Sequence, residues 1–270
     1  MRVRPAAVAG TFYPADPVAL ATMVDGYLTA APAAGPSASA RPPVAIIAPH
    51  AGFVYSGPVA GHAYAALRRW SDAFDRVVVV GVPHRAPVRG LALCSAEAWD
   101  TPLGRIAVDA DAAAALLTHP GAYLDDRAHA HEHSLEVHLP FLQRVLVDGW
   151  RLLPVIAGGA MDAADTGHLA DLLAPLWDAA RTLVVVSTDL SHYQPQRAAQ
   201  ALDEATAADI EGARWELLDG ARACGASGVR AALELTRRHH ERVTLLDLRT
   251  SADTAGSEDR VVGYGSFVIR

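Results

Sequence analysis

The chain has 270 residues, 51% of them hydrophobic, and a formal charge of −7 at pH 7. That is enough for a sizeable core, and with no Lys/Arg block and no base-reading motif, nucleic acid is not an expected partner. Every basic residue is Arg and there is no Asn, which excludes a Walker A lysine, a pyridoxal Schiff base, any lysine nucleophile and a Cys-His-Asn triad.

Taken in chain order, the opening stretch MRVRPAAVAG has no continuous apolar segment before Phe12-Tyr13-Pro14. Neither a signal peptide nor a membrane span is expected, so the expected location is cytoplasmic. A helix is predicted over about Pro17 to Leu28, then an Ala/Pro/Ser/Gly-rich surface loop over 29–43. Four nearly continuous apolar runs follow: Val44 to Ala48, Val77 to Val80, Leu152 to Ile156 and Leu183 to Val186. Runs of that kind suit strands buried on both faces. Helical patterns lie between them, at Pro58 to Arg69, Asp109 to Leu117, Ser134 to Val147 and His168 to Ala180. Two more helices, Gln196 to Leu218 and Gly228 to Arg238, precede closing strands Thr244 to Leu248 and Val262 to Ile269, expected antiparallel at an edge. The alternation predicts one α/β domain over 1–270, with helices on both faces of a largely parallel or mixed sheet.

Three strands run into chemically loaded turns: Pro49-His50-Ala51-Gly52, Pro83-His84, and Ser187-Thr188-Asp189-Leu190-Ser191-His192. Open α/β sheets bind ligands beyond the carboxyl ends of their strands. His50, His84, Asp189 and His192 therefore form a candidate site, and imidazoles with a carboxylate are usual ligands of first-row metals. The two cysteines, Cys94 and Cys224, are too few for a disulfide framework. Cys224 precedes a helix, where a depressed pKa would favour a metal-binding thiolate. Cys94, within Leu91-Ala92-Leu93-Cys94, reads as a small buried hydrophobe. His129, His131, His133 and His138 crowd one stretch without the spacing of a zincin or inverted zincin motif. That stretch reads as a loop entering an amphipathic helix with Glu132 near its cap, and it leaves His133 able to approach the pocket. His239-His240 reads as a solvated helix end.

These residues resemble the Memo family, the Memo-like component (system protein B) of the bacterial and archaeal AmmeMemoRadiSam system. The matching pieces include Ala9 to Pro14, Pro49-His50-Ala51-Gly52-Phe53-Val54-Tyr55-Ser56-Gly57, Gly81 to His84, Glu132-His133-Ser134-Leu135-Glu136, Ser187 to Tyr193, Ala223-Cys224-Gly225 and Val262-Gly263-Tyr264. The resemblance implies a three-layer α/β/α fold similar to class III (LigB-type) extradiol dioxygenases, non-haem iron enzymes with two His and one Glu as ligands. It implies His50, His84 and Cys224 as metal ligands, with Asp189 and His192 as catalytic residues. Phe12, Tyr13, Tyr55, Arg85 and His133 fall on the substrate side. Pro83 and Arg85 flank His84 where the family often has other residues, and Arg85 would bring a cation suited to an anionic substrate to the rim.

A His/His/Cys set favours iron(II) or copper and also admits zinc. The first functional expectation is a non-haem redox or dioxygenase-like enzyme acting on a small molecule. A non-catalytic metal- or peptide-binding adaptor and a zinc-dependent hydrolase are the alternatives. The resemblance also implies coupling to a radical-SAM protein and an AMMECR-type protein.

Overall fold

The computed structural model describes residues 1–32, 41–159, 162–178 and 180–270. In chain order the strands are β1 (Val3–Arg4), β2 (Ala45–Ala48), β3 (Arg76–Gly81), β4 (Gly90–Leu93), β5 (Ala98–Thr101) and β6 (Gly104–Ala107). They continue as β7 (Ala122–Leu124), β8 (Arg151–Gly158), β9 (Thr182–Ser187), β10 (His192–Gln194), β11 (Val243–Thr250) and β12 (Val261–Ile269). The helices are α1 (Pro17–Ala30), α2 (Phe53–Ala65), α3 (Ala110–Leu116), α4 (Asp126–Ala130) and α5 (His133–Glu136). After them come α6 (Leu139–Val145), α7 (Ala163–Trp177), α8 (Gln196–Glu211) and α9 (Ala226–Arg238).

A nine-stranded mixed sheet forms the middle layer, in the order β10-β12-β2-β9-β3-β8-β4-β7, with β11 also on β12. Its centre, β2-β9-β3-β8, is parallel. Strand residues alternate between two apolar layers, as the pleat requires. Ile46, Ala48, Val77, Val79 and Val185 pack in one cluster with Leu20 and Val24 of α1, Tyr64 of α2 and Phe141 of α6. Ala45, Ile47, Val78, Val80, Val184 and Val186 pack in the other with Leu169 and Leu173 of α7, Ile210 of α8 and Val229 of α9. Burial on both faces is why these runs read as continuously apolar. The result is the expected three-layer α/β/α arrangement.

Several boundaries differ from expectation. Helix α2 begins at Phe53, capped at Gly52, and carries Pro58 inside it. Its Gly57 and Gly61 let α1 come close, because a Cβ at Gly57 would enter the Tyr27 ring and one at Gly61 would lie 2.7 Å from the Tyr27 carbonyl. The predicted helix over Ser134 to Val147 is two helices, α5 and α6, with Pro140 in the first turn of α6, where no N–H is needed. Helix α8 stops at Glu211, and the chain turns at Ala213 with φ 50°. The closing strands β11 and β12 do run antiparallel at the edge as expected, with β12 pairing β2 on its inner side and β11 on its outer side. The small sheet β1-β5-β6 was not anticipated. Of the expected loop over 29–43, Thr29 and Ala30 complete α1, Pro43 is buried, and 33–40 lie outside the described residues. Among the described residues no helix is long and apolar enough to cross a membrane.

Candidate metal centre

The adjacent parallel strands β2, β9 and β3 end side by side. Beyond those ends stand His50 after β2, Asp189 after β9 and His84 after β3, as the strand reading required. Helix α5 brings His133 to the same place. One ring nitrogen from each of His50, His84 and His133 lies within 4.8 Å of the other two. The rings of His50 and His84 meet edge to face at a centroid distance of 5.2 Å, and His84 stacks on His133 at 4.6 Å.

Each outer contact sets a ring. Ser187 donates its hydroxyl proton to the Ser134 carbonyl at 2.6 Å, so towards Nδ1 of His50, at 2.7 Å, its oxygen is the acceptor. His50 thus carries its proton on Nδ1 and keeps a lone pair on Nε2. Nδ1 of His84 donates to Oε1 of Glu132 at 2.9 Å, which leaves its Nε2 lone pair likewise. Nδ1 of His133 is buried, lies 3.3 Å from Oε1 of Glu132, and makes no hydrogen bond there. Burial, then the neighbouring imidazoles, holds His50 well below the usual histidine range. Burial brings His133 down to about 4, opposed by Glu132. Both rings are therefore neutral near pH 7, the form that binds metals. Burial opposes ionisation of Glu132, but bonds from His84 and Ser134 outweigh it and pull that carboxyl down to about 2.

Cys224 lies in the turn before α9, with its sulfur 3.4 Å from Nε2 of His50. It stands beside the three-histidine set rather than within it. The Asp189 amide donates to this sulfur at 3.2 Å. The expected depressed pKa is not found. Burial, reinforced by the Asp189 carboxylate, pushes the thiol up to about 12. A metal ion at the sulfur would reverse this, because coordination displaces the thiol proton. Asp189 is itself buried; its Oδ1 accepts the His50 amide at 2.8 Å, and burial pushes its carboxyl up. His192 donates Nδ1–H to the Leu190 carbonyl at 2.9 Å, so its Nε2 is the basic nitrogen.

The aromatic residues divide. Phe12 lies against His133 at a centroid distance of 4.6 Å and walls the centre. Tyr13 is buried behind it, donating its hydroxyl to Glu136 at 2.6 Å. Glu136 also takes Arg4 at 2.5 Å and the Ala7 and Val8 amides, a clamp that holds the N-terminal segment and so keeps Phe12 in place. Tyr55 is exposed on the first turn of α2, and Arg85 is exposed beside His84. Glu132 was legible in the sequence only as a cap, and Ser187 not at all, because both act through contacts across the fold. Cys94 is buried in the core as expected, accepting from the Trp99 indole at 3.4 Å.

The donors fit a transition ion. Imidazoles with their outer nitrogens engaged, the unpartnered buried Nδ1 of His133 and a nearby sulfur are what such an ion requires.

Residues 4–268 match the family model described as Memo-like protein. The chain is 37% identical over 280 residues to a MEMO1 family protein of Methanothermobacter thermautotrophicus, covering 97% of this chain and 98% of that one. It is 33% identical over 278 residues to a MEMO1 family protein of Aquifex aeolicus, with full coverage of both (100%). Among solved structures, the uncharacterized protein JW3007 from Escherichia coli K12 shares the fold, with a TM-score of 0.55, 17% identity, and coverage of 85% of this chain and 100% of that one.

Proposed function

This chain belongs to the Memo-like protein family, and from that premise we propose that it is a metal-dependent redox enzyme acting on a small molecule, dioxygenase-like in its use of the site. The observation that carries the reading is the convergence of three imidazole donors within 4.8 Å, with the Cys224 sulfur 3.4 Å from Nε2 of His50. His50, His84 and His133 would hold the ion, with Cys224 as the soft donor that favours iron(II) or copper. When bound, the ion supplies Lewis acidity and one-electron chemistry.

The chain's own groups do the rest. Phe12 excludes water on one side of His133. His192 takes a proton at Nε2, its ring held by the Leu190 carbonyl. Asp189 orients the His50 backbone, its Oδ1 accepting the His50 amide beside the centre. Arg85 gives the rim a cation for an anionic substrate group. Coupling to radical-SAM and AMMECR-type proteins is part of the same proposal.

A second reading rests on the histidines alone. Three imidazoles and an open position are a zinc hydrolase's donor set. Anaerobic purification with elemental analysis separates the two. The first reading expects iron or copper, lost in His50→Ala, His84→Ala and Cys224→Ala. Zinc alone, retained in Cys224→Ala, transfers the assignment to the second. Metal retained in all three variants removes both.

A further inference from the structure

Glu132 has no solvent exposure, yet it carries a carboxylate. Burying that charge costs several kcal/mol unless bonds compensate. Capping α5 takes only one of them, from the Ser134 amide to Oε1 at 2.9 Å. Ser, Thr, Asp or Asn would serve as well or better at that position. The remaining bonds go elsewhere. Oε2 accepts the His84 amide at 2.8 Å, and Oε1 accepts Nδ1–H of the same residue at 2.9 Å. Both oxygens thus hold one residue, by its backbone and by its ring, across 48 positions of chain. His133, whose Nδ1 is 3.3 Å from the already doubly used Oε1, gets no such bond.

We propose that Glu132 is a positioning residue for the metal centre: its carboxylate locks His84 in the tautomer that keeps the proton on Nδ1 and leaves Nε2 unprotonated for a metal. This rests on the metal-centre reading above. The arrangement is a carboxylate–histidine–metal triad, in which the carboxylate fixes ring orientation and raises the ligand's basicity. His84 is the ligand in most need of it. Its side chain is 31% exposed, against 2% for His50, so packing does little to hold the ring.

The geometry says what each substitution does. In Glu132→Gln one oxygen becomes an NH2 group. Oε1 and Oε2 both accept N–H protons, so the new donor must face a donor in either orientation. With the NH2 at Oε1 the imidazole escapes by moving its proton to Nε2 and the metal-binding lone pair is lost; with the NH2 at Oε2 the His84 backbone loses its bond, and either way His84 is held less well. In Glu132→Asp the cap is kept or improved, but the side chain is one methylene too short to reach His84. A residue that mattered only as a cap would tolerate this change.

Two measurements test the inference. Nitrogen-15 NMR of the metal-free, histidine-labelled protein reports the His84 tautomer directly and needs no variant. The expected form is Nδ1–H, and Nε2–H in the parent overturns the inference. The second is zinc(II) affinity by competition with a chromophoric chelator, with thermal unfolding of each metal-free variant as a check on folding. Both variants are expected to bind about 10–100-fold more weakly than the parent. If the parent binds zinc and Glu132→Asp binds it equally well, the inference alone fails. If the parent binds none, the metal-centre reading fails and takes the inference with it.

Discussion

Replacing Ser187 by Ala removes one hydroxyl and strands the buried Nδ1–H of His50. Ser187 ends β9 and is 1% exposed. Its proton goes to the Ser134 carbonyl and its lone pair receives Nδ1–H of His50. Without it, the His50 Nδ1–H has no replacement partner at hand, whereas the Ser134 carbonyl still has the His138 ring against it. A stranded buried donor costs about 1–3 kcal/mol, and a loss of that size is expected. At roughly 2.1 cal/mol/K of unfolding entropy per residue, that lowers Tm by about 2–5 °C for a chain of this length. The His50 ring also loses what fixes its tautomer, and metal affinity should fall about 10–100-fold. Calorimetry of the metal-free protein reads the first effect, and competitive metal titration reads the second. A variant as stable as the parent and binding metal as tightly would show that the serine neither supports nor orients His50.

Other perturbations probe neighbouring parts of the account. In Gly225→Ala the new Cβ would run into the Ser187 carbonyl and come within 2.8 Å of the Thr188 Cβ, so the Cys224 turn must shift. About 1–3 kcal/mol of stability should be lost, measured by urea unfolding, and unchanged stability would refute the close approach. Cys224→Ser should lower copper or iron retention more than zinc retention, because zinc can rest on the imidazoles; equal retention of all three would leave the sulfur without a role. Acid should destabilise the metal-free protein. Burial lowers His129 and His133 to about 4 and His138 to about 3, so these rings stay neutral in the fold while the unfolded chain takes up protons near 6.5. Their contribution is complete above pH 6.5 and is lost as pH falls towards 4 and below, on the order of 3 kcal/mol for His133. Urea midpoints at pH 7 and pH 5 check it, and greater stability at pH 5 would contradict it.

The parts legible in the sequence were those with a local cause. β2, β3, β8 and β9 announced themselves because residues such as Val77–Val80 alternate between two buried layers and leave no polar position. His50, His84 and Asp189 were legible because each follows such a strand directly. β4 and β7 are three or four residues long, and β5 and β6 form a tight hairpin, so none offers a run from which to read a period. The break between α5 and α6 was masked by continuous apolar spacing from Leu135 to Val145. His133 and Glu132 show the limit most clearly. Locally they are the first turn and the cap of a four-residue helix, and that reading holds. Their place beside His84 exists only once α5 packs under the end of β3, a contact no spacing encodes. The thiol of Cys224 misled for a related reason: a helix start lowers a pKa, but burial beside Asp189 raises it further.

The most direct test of the whole account is anomalous diffraction from crystals of metal-loaded protein, collected at the absorption edge of the ion. One peak is expected, within bonding distance of ring nitrogens from His50 and His84 and of a third donor from His133 or Cys224. Density for the ion elsewhere on the surface, with those rings unmoved and unligated, would contradict it.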